Sequence, residues 1–135
     1  MTKVLVFGTF DNIHPGHVNF LNQARQYGEH LIASVARDEF VLRIKGRAPI
    51  HSQEQRIRHV MQSGLIDAAY LSDEAQGSYS LVEKLGASVV CFGHDQIELE
   101  ENFSDWLTRR SIKVRTVILK AYKPEKYKSS KMKKS

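Results

Sequence analysis

The chain of 135 residues has a single cysteine, Cys91, so no internal disulfide can form and a reducing, cytoplasmic setting is expected. No apolar run approaches the roughly 20 residues that a membrane-crossing helix requires, and the amino-terminal stretch is too short and too strand-like for a secretory signal. No membrane partner is expected. Two phosphate-binding signatures are missing as well. Neither G-x-G-x-x-G nor G-x-x-x-x-G-K-[ST] occurs, which argues against a dinucleotide enzyme and a P-loop nucleotide hydrolase.

The composition that remains, 41% apolar and 26% charged, is that of an ordinary soluble protein. The length suits one domain over residues 1–135. The net charge of +5 is concentrated at one end. Residues 120–135 hold seven lysines against Glu125, while residues 1–119 hold 13 basic and 14 acidic side chains. Such a basic C-terminal segment has three readings: a solvated end, a surface for polyanions, or a phosphate clamp.

Hydrophobic period gives the elements. Lys3–Gly8 is a nearly continuous apolar run, as a strand buried on both faces requires. Val18, Leu21 and Ala24, widened by Phe20 and Tyr27, predict a helix over 15–27, stopped by Gly28. A strand is predicted over 31–36 and a short helix or turn over 38–44. Ser52 and Gln55 have capping-box spacing and open a helix over 52–63, which Gly64 ends. Further strands are predicted over 68–71, 88–92 and 113–119, with helices over 78–85 and 99–110. Strands separated by helices throughout imply an α/β fold, a Rossmann-like parallel sheet of about five strands with helices on both faces. Ligands then bind at the carboxyl ends of the strands, where this chain has the loops "GTFDNIHPGH", "ARDEF" and "FGHDQ".

The first of these loops has the richest chemistry. Gly8 ends the strand and admits a ligand to the backbone, Thr9 offers a hydroxyl and Asp11 a carboxylate. His14 stands at the expected N-cap, Pro15 suits the first helical position, and His17 follows on nearly the same side of the first turn. Unpaired N–H groups and the partial positive charge of a helix N-terminus favour phosphate oxygens beside both imidazoles, and a triphosphate is the expected ligand. Zinc is not expected, since no Cys or His pair of suitable spacing completes a ligand set. Two incidental surface histidines are the bland alternative.

"GTFDNIHPGH" closely resembles the G-T-F-D-x-x-H-x-G-H signature of the cytidylyltransferase-like nucleotidyltransferases. "HSQEQR" at 51–56 resembles the loop-and-helix element of that family, and "SSKMK" at 129–133 is similar to its C-terminal Ser/Thr-rich phosphate motif. The resemblance implies transfer of a nucleoside monophosphate from a nucleoside triphosphate to a phosphorylated acceptor, with release of pyrophosphate. It places Thr9 and His17 on the reacting phosphates, with His14 and the Phe10 backbone beside them. Lys45 and Arg56 become cationic catalytic partners. Gly8, Gly16 and Gly93 line the nucleotide, Asp95 binds its base or ribose, and Ser129 and Ser130 hold the β- and γ-phosphates. Asp11 is expected to fix the turn by accepting backbone N–H bonds. Mg²⁺ would arrive with the triphosphate, with no dedicated metal ligands, and a homodimer is implied. The tail departs from the pattern, because only "KMKKS" follows the serines. An acceptor phosphate, whose second pKa is about 6, attacks without a general base, so catalysis reduces to positioning two polyanions and neutralising charge.

Within the family, "KGRAPI", "EQR", "GHDQ" and the Tyr, Lys and Pro of "KAYKPEKYKSS" resemble the archaeal-type FAD synthases, which adenylylate FMN with ATP. Glycerol-3-phosphate cytidylyltransferases, which use CTP and glycerol 3-phosphate, share the first motif, the "ARDEF"-like residues and the "HS" before the helix. Tyr79, Trp106, Tyr122 and Tyr127 are aromatics available to a flavin ring, or else core and surface packing. A reading of another class is a non-catalytic nucleotide- or RNA-binding module, suggested by Tyr122 and Tyr127 among the lysines. The nearly neutral body makes nucleic acid the less favoured partner.

Overall fold

A computed structural model of the chain describes residues 1–75 and 77–121. Five parallel strands, β1 (Lys3–Gly8), β2 (His30–Val35), β3 (Ala68–Leu71), β4 (Val89–Phe92) and β5 (Arg115–Ile118), form one sheet in the order β3-β2-β1-β4-β5. The helices between them are α1 (Pro15–Arg25), α2 (Asp38–Lys45), α3 (Gln53–Gln62), α4 (Leu81–Leu85) and α5 (Ile97–Arg110). This is the Rossmann-like arrangement expected from the alternation of elements.

Alternating residues of the central strands feed two cores. Val4 and Val6 of β1 with Leu31, Ala33 and Val35 of β2 face Leu21 and Ala24 of α1 and Val60 of α3. Leu5 and Phe7 with Ile32, Val90 and Phe92 face Val82 of α4 and Phe103, Trp106 and Leu107 of α5. Period 2 in the strands thus meets period 3.6 in helices on both faces.

The boundaries moved where polar side chains compete with the helix ladder. The helix expected over 78–85 begins only at Leu81, because Asp73 accepts from the Ser78 hydroxyl and from both the amide and the hydroxyl of Ser80, which holds these residues in a loop. The segment left open as a helix or turn is the helix α2, closed by Gly46 at φ 75°. Ser52 and Gln55 form the expected capping box on α3. The helix expected from Leu99 starts two residues earlier, at Ile97, which is 63% exposed and therefore invisible to an apolar pattern.

The sheet order makes β1 the switch point, since the chain leaves it toward β2 on one side and reaches β4 on the other. Pairing of β1 with β2 continues to Gly8↔Val35, whereas pairing with β4 stops at Val6↔Cys91. The carboxyl ends of β1 and β4 therefore part, and the first expected loop leaves from the lip of that gap.

Candidate active site

Three walls meet at this edge. The first is the turn after β1. Phe10 adopts φ 54° and is almost fully buried, so the chain reverses sharply while its ring plugs the core below. That ring covers Gly8 so closely that a Cβ there would lie 2.7 Å from it, which is why this strand ends in glycine. The same ring lies 5.7 Å from the His17 imidazole, centroid to centroid.

His14 caps α1 with its side chain. Its Nδ1 accepts from the Gly16 amide at 3.0 Å, and its own amide faces His17 Nδ1 at 3.4 Å, a reciprocal capping box in which two imidazoles replace the usual hydroxyl and carboxylate. The rings stack at 4.0 Å. A Cβ on Gly16 would meet the His14 ring at 2.7 Å, so glycine is what lets the ring lie back over the first turn. With Nδ1 accepting, the His14 ring has the N–H on Nε2 left to give a ligand. Burial lowers the pKa of His17, the charges of His14 and Lys45 lower it further, and a hydrogen bond to the Asn12 backbone and the charge of Asp95 only partly oppose them.

The second wall is a mesh of hydrogen bonds, most of them partly buried. Asp11 accepts from the amides of Ile50 at 2.7 Å and His51 at 2.8 Å, and His51 Nδ1 lies 2.8 Å from the Asp11 carbonyl. Burial raises the Asp11 pKa, but the two amides and the charges of His51 and Arg56 outweigh it and leave the carboxyl below its ordinary value. Asp11 thus fixes a turn as expected, though through a loop 39 residues away rather than through its own. Arg56 has no exposed surface. Its Nε donates to the His51 carbonyl at 3.1 Å, Nη1 to the Thr9 carbonyl at 2.8 Å and Nη2 to Asp38 Oδ1 at 2.7 Å. The guanidinium expected as a catalytic cation, with an exposed helix cation as the bland alternative, is therefore enclosed behind Thr9. Lys45, at the last turn of α2, is exposed and near enough to His17 for its charge to be felt there.

The third wall follows β4. A Cβ on Gly93 would lie 2.9 Å from Asp95 Oδ1 and 3.6 Å from the ring of Phe20 on α1, so this loop packs against the histidine helix. Gln96 accepts from the Gly93 amide at 2.8 Å and donates to the Phe7 carbonyl at 2.9 Å, tying the third wall to the first.

The structure accordingly gathers Gly8, Thr9, Phe10, His14, Gly16, His17, Lys45, Gly93 and Asp95 at one edge, with Arg56 beneath them. Ser129, Ser130, Tyr122 and Tyr127 lie outside the described residues. Tyr79 and Trp106 belong to the core packed against α5, where their rings lie 5.6 Å apart, edge to face. Cys91 is buried and its thiol is pushed up to about 12 by that burial, which removes it as a nucleophile. Asp38, His51 and Gln96 carry the mesh yet stood out in no spacing rule. Asp38 meets the Arg56 side chain over 18 residues, His51 meets Asp11 over 40 and Gln96 meets Phe7 over 89, separations that a linear sequence does not display. Among the described residues, no group of three or more His, Cys, Asp or Glu side chains is placed to hold a metal ion, and no helix is long and apolar enough to cross a membrane.

A parallel sheet with a helix N-terminus and paired imidazoles at its switch point defines a nucleotide-handling fold of the kind the first motif implies. A sequence profile described as cytidylyltransferase-like matches residues 5–135. The chain belongs to the cytidylyltransferase-like family and is a nucleotidyltransferase. It is 40% identical over 110 residues to the FAD synthase of Methanococcoides burtonii, covering 78% of this chain and 74% of that one. It is 38% identical over 130 residues to the FAD synthase of Archaeoglobus profundus, covering 96% of this chain and 82% of the relative. Among solved structures, a lipopolysaccharide core biosynthesis protein from Thermoplasma volcanium superposes with a TM-score of 0.82 at 27% identity, over 91% of this chain and 99% of that one.

Proposed function

We propose that this chain, acting as one catalytic domain, joins AMP from ATP to the phosphate of FMN, forming FAD and releasing pyrophosphate. An FMN phosphate oxygen attacks the α-phosphorus of ATP, the bond from that phosphorus to the bridging oxygen breaks, and the electron pair leaves with pyrophosphate. The observation that carries this reading is the stacked His14–His17 pair at a helix N-terminus on the switch-point edge, in a chain 40% identical to an FAD synthase. His17 and Thr9 bear on the reacting phosphates, and His14 gives its free N–H to a neighbouring oxygen. Lys45 adds positive charge, and Gly8, the Phe10 backbone, Gly16, Gly93 and Asp95 line the nucleotide. Arg56 acts through Thr9, and Ser129 and Ser130 hold the leaving phosphates. The bland reading of two incidental surface histidines is disfavoured by their reciprocal capping.

Mg²⁺ fits as a cation carried by the nucleotide. Asp11 already spends both oxygens on amides, and among the described residues exposed Asp95 belongs to no group of three or more His, Cys, Asp or Glu side chains placed to hold a metal ion, so phosphate oxygens and water would supply most of its shell. It would neutralise charge on the phosphates. A cytoplasmic homodimer is part of the same proposal.

The choice of FMN over a three-carbon acceptor is favoured by exposed apolar side chains in the segment that carries Lys45. Leu42, Ile44 and Ile50 are 51%, 70% and 82% exposed, and the Ile50 amide is fastened to Asp11. A flat ring gains from apolar side chains that it can cover, whereas glycerol 3-phosphate does not. The test is to offer the purified protein Mg²⁺ with each pairing of ATP or CTP with FMN or glycerol 3-phosphate, and to separate the products by chromatography. FAD from ATP and FMN is expected. CDP-glycerol, with no product from FMN, would put the cytidylyltransferase reading in its place. RNA binding with no pyrophosphate from any pair would favour the non-catalytic module.

A further inference from the structure

The gap between β1 and β4 is held by an inserted side chain. The Gly8 carbonyl accepts from the Ala36 amide on the β2 side at 2.9 Å, so the carbonyl of Phe7, one residue earlier, faces β4. After the Val6↔Cys91 pair, the next ladder bond would run from the Gly93 amide to the Phe7 carbonyl. It does not form. The Gln96 carboxamide stands between them, taking the Gly93 N–H on Oε1 at 2.8 Å and giving an Nε2 hydrogen to the Phe7 carbonyl at 2.9 Å. Both backbone groups are thereby satisfied while the strands stay one amide apart. The spacer sits between the turn that carries Thr9 and the loop whose Asp95 bears on His17.

We propose that Gln96 is a positioning residue for nucleotidyl transfer, a carboxamide spacer that sets the width of the cleft receiving the nucleoside triphosphate. This rests on the nucleotidyl-transfer reading above. Only a side chain with an acceptor and a donor on one planar group, at glutamine's length, bridges an N–H and a C=O in this way. Without it, Gly93 and Phe7 can pair directly and the cleft narrows at the switch point, while the surface around Lys45 and Ile50 is untouched.

Gln96→Met keeps the length and removes both hydrogen bonds. Gln96→Glu keeps the acceptor for Gly93 but sets a carboxylate against the Phe7 carbonyl. The dissociation constants of ATP and CTP are measured by calorimetry without acceptor, KM for the acceptor by pyrophosphate release, and folding by circular dichroism. In Gln96→Met, the dissociation constant of the nucleotide that the wild type binds is expected to rise at least tenfold, with acceptor KM within twofold of wild type. For Gln96→Glu, the loss relative to wild type should shrink as pH falls toward the carboxyl's titration, because a protonated carboxyl again both accepts and donates. This pH-dependent recovery remains readable if Gln96→Met fails to fold. A folded Gln96→Met with unchanged nucleotide affinity, a Gln96→Glu deficit that ignores pH, or equal losses for nucleotide and acceptor would overturn the proposal. Wild-type protein that binds neither nucleotide would overturn it together with the reading on which it rests. Nucleotide binding without turnover of FMN would count against FMN as acceptor alone, since the role of Gln96 is read from the binding constants.

Discussion

Arg56 Nη1 donates to the Thr9 carbonyl at 2.8 Å, bridging 47 residues of chain, so the turn that presents the histidines is anchored from α3 rather than from its own helix. The same guanidinium holds the His51 carbonyl and Asp38, and no part of it is exposed. Removing it leaves two carbonyls unpaired and a carboxylate without its counter-ion. Arg56→Met is expected to cost about 3 kcal/mol of stability, toward the low end for a buried pair because Asp38 is partly solvated. Arg56→Lys should recover little, since one ammonium cannot reproduce the planar fork. Urea unfolding of both variants checks this, and a loss below about 1 kcal/mol would show that the mesh relaxes without the guanidinium.

Gly8→Ala tests the link between packing and chemistry. The added methyl would sit 2.7 Å from the buried Phe10 ring, which would have to shift. Overpacking of this kind costs about 1–3 kcal/mol. Because the same ring abuts His17, turnover should fall further than stability alone explains. Turnover compared well below the melting temperature separates the two effects.

His17 is expected to change charge when a triphosphate binds. In the free protein, burial and the nearby cations hold its pKa below the ordinary 6.5, so it is neutral at pH 7. Its contribution to folding stability is then present above that value and lost as pH falls through the lowered one. A bound polyanion reverses the balance and draws a proton in. Calorimetry in buffers of different ionisation enthalpy should show proton uptake on binding at neutral pH that fades as pH rises. His17→Ala should lose that uptake, which separates it from titration of the nucleotide itself, and turnover in this variant should fall by orders of magnitude. Identical proton counts in the two proteins would place the titrating group elsewhere.

The acceptor surface is tested by Ile44→Ser with Ile50→Ser. Both side chains are exposed, so stability should change by less than about 0.5 kcal/mol. KM for FMN should rise several-fold while KM for ATP holds. Parallel rises would show that these residues do not distinguish the two ligands.

The sheet, its helices and the histidine turn were legible in the sequence because each rests on local pattern: apolar runs for β1 and β4, spacing for α1 and α3, and a capping position for His14. The mesh behind the site was not. Asp38 joins Arg56 over 18 residues and Gln96 joins Phe7 over 89, and neither pairing leaves a periodic trace. The role of Arg56 shows the same limit, since an arginine on a polar helix reads as exposed until its three acceptors are seen. The late start of α4 has a local cause, Asp73 capturing Ser78 and Ser80, but nothing in the sequence says which of several polar residues Asp73 takes.

The central claim is that the α-phosphoryl group of ATP moves to the FMN phosphate at the His14–His17 edge. Purified protein with Mg²⁺, FMN and ATP labelled at the α-phosphorus tests it most directly, run beside His17→Ala at equal folded concentration. Label in FAD, matched mole for mole by pyrophosphate and lost by orders of magnitude in His17→Ala, is the predicted result. Label that stays in ATP, passes only to free AMP, or reaches FAD equally fast in both proteins would contradict it.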